Sequence, residues 1–326
     1  MLDLIYNLPE EIEEAVKLSK EIKGYEKIEN VAVCGMGGSA IGGEILKAIL
    51  YNRSPVPVII HRDYSLPKFV SEKTLLFIIS YSGNTEETLS SYKEAKGLNL
   101  SPICITSGGR LAQLSEENKN SIIKVPDGYP PRAAIAYLSI PLLLAVQRTG
   151  LISNIEGEIK EVVSLLKEKR EGYRKEAERL SLELMGFFPI VYSLSRIMDP
   201  VAIRWRCQFN ENSKVLCHTN FFPELDHNEI VGMGGVEGLI SLSYLIILRD
   251  PKVYPKNLRR LDYTLKILKG TFSRSFQFLP DGESDLARIF SGILFGDFLS
   301  FYLAKRRGVD PLPVERIETL KRWLRS

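Results

Sequence analysis

NVAVCGMGGSAIGGEIL, from Asn30 to Leu46, carries a short apolar run into a glycine-rich turn and then into a helical pattern. An apolar run that stops at glycines and resumes with a period of about 3.6 opens a strand–turn–helix unit. The same order recurs in TLLFIISYSGNTEETL, from Thr74 to Leu89. Around these two stretches stand VPVIIH, PICITS and SIIKVP, and helix-like segments fall near residues 39–51 and 85–97. Strands alternating with helices predict a parallel sheet with crossover connections. Near-continuous Val, Ile and Leu within the runs is what strands covered on both faces require.

Upstream, Asn7 as N-cap, Pro9 in the first turn, and Ile12, Val16, Ser19 and Ile22 along one face predict an opening helix beside the sheet. Downstream, EGEIKEVVSLLKEKREGYRKEAERLSLELM has helical spacing and a dense mix of charges, and reads as a connector between domains. A solvated helix with no special role explains its charges equally well. The alternation then resumes with FFPIVYS, KVLCHTN, GLISLSYLIILRD and a run around TFSRSFQFLP, and closes on helices near 284–307 and 313–325. A chain of 326 residues exceeds what one ordinary core supports. Two α/β domains are therefore expected, residues 1–150 and 151–326, each a doubly wound parallel sheet with flanking helices.

Hydrophobic residues at 44% and charged residues at 25% give a soluble, globular balance. No run approaches the roughly eighteen apolar residues of a membrane span, and the acidic N-terminus MLDLIYNLPEEIEEAV lacks the pattern of a signal peptide. A cytoplasmic protein without a membrane partner is expected. The 43 basic and 40 acidic residues are dispersed, so the net charge of +3 advertises no nucleic-acid partner. Cys34, Cys104, Cys207 and Cys217 form neither CxxC pairs nor a disulfide scaffold. Cys34 and Cys104 lie in apolar, strand-like runs and read as core.

A glycine-rich turn at a helix start is suited to phosphate, because its backbone N–H groups and the helix dipole favour an anion. Gly37 and Gly38 supply the close approach and Ser39 a hydroxyl. Gly35, Gly37 and Ala40 also fit a loose dinucleotide fingerprint, with Asp63 near the place of a ribose-binding acid. A nicotinamide dehydrogenase therefore stands as one reading. The second turn adds Ser80, Ser82 and Thr85 at the head of the next helix. Ser82 and Thr85 could simply cap that helix, with Glu86 and Glu87 in its first turn. One hydroxyl suffices for a cap, however, and three favour a phosphate.

GMGGSA followed by ISYSGNTEET resembles the sugar isomerase (SIS) domain, whose paired Ser/Thr loops hold a sugar phosphate. ITSGGRLAQL, PPRAAIAYL, FNENSK, PELDHNEIVG and the terminal ERIETLKRWL resemble the bifunctional phosphoglucose/phosphomannose isomerases of archaeal type. The resemblance implies two SIS-type domains, a substrate bound between them, and a homodimer in which a histidine reaches in from the neighbouring subunit. It makes Ser39, Ser80, Ser82 and Thr85, with the Gly37–Gly38 backbone, the substrate-binding groups. It makes Glu211, Arg132, His227 and Lys321 the catalytic set. The implied reaction interconverts glucose 6-phosphate, and mannose 6-phosphate as a second aldose, with fructose 6-phosphate, using no cofactor and no metal.

Chemistry gives each residue a reason. Isomerisation moves a proton between C1 and C2 through an enediolate and needs one carboxylate base, for which Glu211 in FNENSK serves. A glutamate near a helix end is otherwise a surface residue. Developing charge on the enediolate calls for a fixed cation, and Arg132 follows two prolines that stiffen its approach. Sugar phosphates close into rings, so opening requires a group that titrates near neutrality. Of His61, His218 and His227, only His227 is flanked by acids, Asp226 and Glu229, that could orient it. These scattered histidines supply no zinc ligand set. Lys321 sits among Arg316, Arg322 and Arg325, where a solvated basic face is the plain alternative. Family members often carry threonine seven positions before this lysine, where this chain has Val314, which bears on its use of both epimers. The competing class is a non-catalytic SIS-type sensor, which would keep the serine loops without needing Glu211, Arg132 and His227 together.

Overall fold

The computed structural model describes residues 1–18, 27–233, 235 and 238–324. Contacts divide the chain into two compact units, each discontinuous in sequence: Asn7–Glu168 with Asp281–Ser291, and Met1–Tyr6 with Lys169–Pro280 and Gly292–Ser326. The expected boundary at residue 150 falls inside the first of these. Composition shifts there because a charged helix begins, whereas the residues of that helix up to Glu168 still pack with the first unit.

The chain opens with α1 (Leu2–Tyr6), which belongs to the second unit. The first unit then runs α2 (Leu8–Lys17), β1 (Asn30–Cys34), α3 (Gly38–Leu50), β2 (Val58–His61), β3 (Thr74–Ile79), α4 (Glu86–Gly97), β4 (Ile103–Thr106), α5 (Gly109–Glu117), β5 (Ile122–Lys124) and α6 (Ile135–Arg148). Asn7 precedes α2 but makes no side-chain cap hydrogen bond, and Ser19 and Ile22 lie outside the described residues. The strands form one parallel sheet in the order β2-β1-β3-β4-β5. In such an order the chain reverses direction across the sheet between β1 and β3, which opens a crevice beyond their carboxyl ends. Leu76, Ile78, Cys34 and Cys104 fill the core below it. Burial pushes both thiols up to about 12, as expected for packing groups rather than nucleophiles.

Helix α7 (Glu156–Glu183) leads into the second unit, with β6 (Phe188–Ser193), α8 (Asp199–Gln208), β7 (His218–Phe221), α9 (Glu229–Gly232), β8 (Ser243–Leu248), α10 (Pro255–Ile267), β9 (Arg274–Phe278), α11 (Asp285–Arg306) and α12 (Glu315–Trp323). Its parallel sheet has the order β7-β6-β8-β9, so it repeats the first sheet's winding with one strand fewer. Trp205 on α8 is fully buried and donates to the Gly292 carbonyl at 2.8 Å. A Cβ at Gly296 would stand 2.0 Å from the indole nitrogen, so only glycine lets α11 pass this side chain. Arg204 and Asp297 form a buried pair at 2.6 and 3.0 Å.

Contrary to the sequence expectation, α11 is long and apolar enough to cross a membrane, but its apolar window is wholly buried in the protein. Arg288 and Asp297 interrupt the run in sequence, and the fold pairs both of them.

Candidate functional site

Two turns of the first unit come together through their polar groups. Ser39, buried in the first turn of α3, accepts the Tyr81 N–H on Oγ at 3.2 Å. This joins the glycine turn after β1 to the serine turn after β3, and it leaves the Ser39 hydroxyl proton for another acceptor. Gly37 takes a left-handed φ of +50° ahead of α3. Thr85 occupies the N-cap of α4, yet its side chain makes no cap hydrogen bond. Instead the buried Ser80 hydroxyl donates to Thr85 Oγ1 at 2.9 Å. Ser82 is exposed, and its Oγ accepts from the Asn84 N–H at 3.3 Å.

Bracing comes from neighbouring loops. Gly83 has φ +68°, and a Cβ there would lie 1.8 Å from the Gly108 carbonyl oxygen, so the serine turn is pressed directly onto the loop after β4. Ser107 Oγ donates to the Tyr81 carbonyl at 2.7 Å, and Asn84 Oδ1 accepts the Arg110 N–H at 3.0 Å. The Tyr81 hydroxyl donates to the Pro126 carbonyl and accepts from the Tyr129 N–H, both at 2.9 Å. That link fastens the segment leading to Arg132. A Cβ on Gly38 would meet the Pro131 oxygen at 2.8 Å and the Arg132 Cα at 3.1 Å. Arg132, only 4% exposed, is therefore seated against the glycine turn. The first unit thus brings together Gly37, Gly38, Ser39, Ser80, Ser82, Thr85 and Arg132. Asp63, by contrast, accepts its own neighbour's N–H from Tyr64 at 2.7 Å, an arrangement that serves the local turn.

In the second unit α8 widens into a π-helical turn, Phe209–Ser213, before Lys214 reverses the chain at φ +55°. Such turns displace one residue outward from the helical ladder and recur at functional sites. Asn212 donates to Ser300 Oγ at 3.0 Å and Ser213 to the Ser300 carbonyl at 2.6 Å, both fully buried against α11. Arg307 Nε donates to the Ser213 carbonyl at 3.0 Å. With its two successors fixed inward, Glu211 faces a cavity of about 630 Å³, lined also by Asn210, Lys214, Leu216, Val314 and Arg316. Lys214 Nζ closes one side by donating to the Pro313 carbonyl at 2.8 Å and to that of Glu211.

His227 ends the 3₁₀ turn Glu224–His227 and is exposed. Neither flanking acid touches it. Asp226 accepts from Thr264 at 2.8 Å and pairs with Arg260 at 3.5 Å, while Glu229 accepts from His218 at 2.9 and 3.0 Å and also from Tyr192 and Asn220. The expectation that they orient the imidazole by contact is corrected: in a tight turn adjacent side chains point in different directions. Lys321 is exposed on α12 and does not line the Glu211 cavity, whereas Arg316 of the same helix does. Sequence reasoning missed Tyr81, Asn212 and Ser213. Only the glycine pair Gly108–Gly109 after a strand signalled the brace behind the serine turn. Among the described residues no group of three or more His, Cys, Asp or Glu side chains is disposed to hold a metal ion.

Residues 25–143 match the SIS domain family model, and residues 173–324 match the bacterial phospho-glucose isomerase C-terminal SIS domain. A bifunctional phosphoglucose/phosphomannose isomerase of Caldicellulosiruptor bescii is 41% identical, over 99% of this chain and 98% of the relative. One of the same name from Aquifex aeolicus is 34% identical, over 95% and 93%. Among solved structures, the C-terminal domain of glucosamine-fructose-6-phosphate aminotransferase from Francisella tularensis superposes with a TM-score of 0.75 at 20% identity, covering 95% of this chain and 97% of that one. This last likeness speaks for the fold.

Proposed function

Because the chain belongs to the family of bifunctional phosphoglucose/phosphomannose isomerases, we propose that it interconverts glucose 6-phosphate and mannose 6-phosphate with fructose 6-phosphate in the cytoplasm. The observation that carries the assignment to chemistry rather than sensing is the π-helical turn: Asn212 and Ser213 are pinned inward and Glu211 alone of the three walls the cavity. A sensor has no need of a carboxylate held in this way.

The substrate phosphate is bound by the hydroxyls of Ser39, Ser80, Ser82 and Thr85 and the N–H groups around Gly37 and Gly38. Thr85 supports this reading, since its hydroxyl is not committed to its own helix. Glu211 takes the proton from C2 of the aldose and returns it to C1, while the proton of the C2 hydroxyl passes to the C1 oxygen, so that the enediolate collapses to the ketose with its carbonyl at C2. Arg132 stabilises the charge that develops on the enediolate oxygen, an interaction stronger in the transition state than in the ground state. The enediolate is planar at C2, so reprotonation from either side gives the glucose or the mannose epimer. Val314, on the wall with Glu211, offers a methyl where a threonine would offer a hydroxyl, which favours glucose 6-phosphate. His227 assists ring opening. Lys321, exposed and outside the Glu211 cavity, takes no part in these steps.

A homodimer is part of this proposal. His227 stands at the surface of its own chain, and α12 leaves Ile317 and Leu320 exposed without burying any residue, with Leu324 exposed just beyond it. Both features suit a second copy.

A coupled assay with the three sugar phosphates, run with and without EDTA, tests the reading. Turnover of glucose 6-phosphate, slower turnover of mannose 6-phosphate and indifference to chelation are expected. Loss of activity on chelation with rescue by zinc would overturn the metal-independent mechanism.

A further inference from the structure

The segment that presents His227 is held from two sides. Asp226 on one side of the histidine is tied to α10 through Thr264 and Arg260. Leu225, the residue before Asp226, is fully buried. On the other side, Glu229 starts α9, its N–H held by Asn228 Oδ1 at 2.6 Å, and Asn228 Nδ2 reaches back to Glu224 at 2.7 Å. The Glu229 carboxylate in turn receives three donors from the sheet: the buried Tyr192 hydroxyl of β6, and Asn220 Nδ2 and His218 Nε2 of β7. Burial works against its charge, but the hydrogen bonds from Tyr192, Asn220 and His218 outweigh it and hold the carboxyl below its ordinary value.

We propose that Glu229 is a positioning residue for ring opening: with His218, Tyr192 and Asn220 it fixes the turn that carries His227. The inference rests on the reading of His227 as the ring-opening group. A partly buried carboxylate is an expensive way to hold a short turn if stability is the only gain, since apolar packing does as well or better. What three convergent donors provide is a defined position. The His227 side chain makes no hydrogen bond with the described residues, so its placement depends on the backbone between Asp226 and Glu229.

The test compares fructose 6-phosphate with 5-deoxyfructose 6-phosphate, a ketose that lacks the hydroxyl needed to close the ring. Displacing a reacting group by about an ångström can lower a rate on the order of a hundredfold, so Glu229→Gln, whose amide meets three donors with half the acceptors, is expected to depress turnover of the cyclic substrate by roughly that factor. The open-chain analogue should react within about threefold of the wild-type rate, because proton transfer by Glu211 does not involve the ring oxygen. The ratio of the two rates does not depend on the fraction of folded enzyme. His218→Gln, which retains a donor toward Glu229, should keep the wild-type ratio, and His218→Ala should shift it in the direction of Glu229→Gln. Equal loss on both substrates, or no loss on either, would overturn the proposal. His227→Ala separates the two ideas: an unchanged rate on the cyclic substrate would remove the ring-opening role of His227 itself, whatever Glu229 does.

Discussion

Thr85 sits where a helix cap belongs, but its hydroxyl oxygen accepts from Ser80 and its own proton is not spent on the helix. A hydrogen bond from such a hydroxyl to a phosphate is charge-assisted, and losing one weakens binding by roughly 1.5 to 3 kcal/mol. Thr85→Val, which keeps the shape, is therefore expected to raise the Michaelis constant and the inhibition constant of 6-phosphogluconate by the corresponding factor while lowering turnover less. An unaltered inhibition constant would count against the phosphate turn. For Glu211 the expectation reverses. Glu211→Gln retains ligand affinity but loses isomerisation, about a hundredfold to ten-thousandfold for a positioned base. It should also stop washing solvent deuterium into C1 or C2, and a variant that still exchanges at the wild-type rate would transfer the role to another carboxylate. Both residues could be singled out from short stretches of sequence, Thr85 because hydroxyls at a strand–helix junction are a chemical signal and Glu211 because FNENSK carries the family resemblance. Tyr81 could not be: in sequence it continues an apolar strand, and its two hydrogen bonds to Pro126 and Tyr129 exist only once loops 45 and 48 positions apart have met.

Every strand named from the sequence is present, since runs such as TLLFII and SYLIIL can bury both faces only in a covered parallel sheet. The π-helical turn was illegible for the opposite reason. FNENS has no periodicity of its own, and the extra residue is stabilised by Ser300 and Arg307, 87 and 94 positions away. Helix α11 supplies that support and itself depends on Gly296 to clear Trp205. Gly296→Ala places a Cβ within 2.0 Å of the indole nitrogen, and overpacking of this kind typically costs about 1 to 3 kcal/mol. In a Trp323→Phe background the remaining tryptophan, Trp205, reports this unit alone. Its fluorescence should show a lower urea midpoint with an unchanged slope. An unchanged midpoint would mean that α11 and α8 yield without cost.

The two units repeat one winding order, which the alternation of runs in both halves foretold. Their discontinuity was not foretold, because Asp281–Ser291 returns to the first unit through contacts such as Arg53 with Asp285 at 3.1 Å, distant in sequence. Beyond the single chain, the exposed His227 and the exposed apolar residues Ile317 and Leu320 of α12 are what a test of the proposed homodimer addresses. If each His227 serves the site of its partner, a Glu211→Gln chain and a His227→Ala chain fail for different reasons and at different places. A twofold dimer of one of each then contains one site with both residues intact and one with neither. Mixing the two purified variants under conditions that allow subunit exchange is therefore expected to restore activity that neither homodimer has. Dilution below the dimer dissociation constant should abolish it again, with the mass by light scattering falling in step. Were His227 to act within its own chain, a mixed dimer would hold one site lacking Glu211 and one lacking His227, and no mixture would recover activity. Restoration on mixing, with silence in each parent, would assign the histidine to the neighbouring subunit's reaction. Silence throughout, with exchange of subunits demonstrated independently, would confine the catalytic set to one chain.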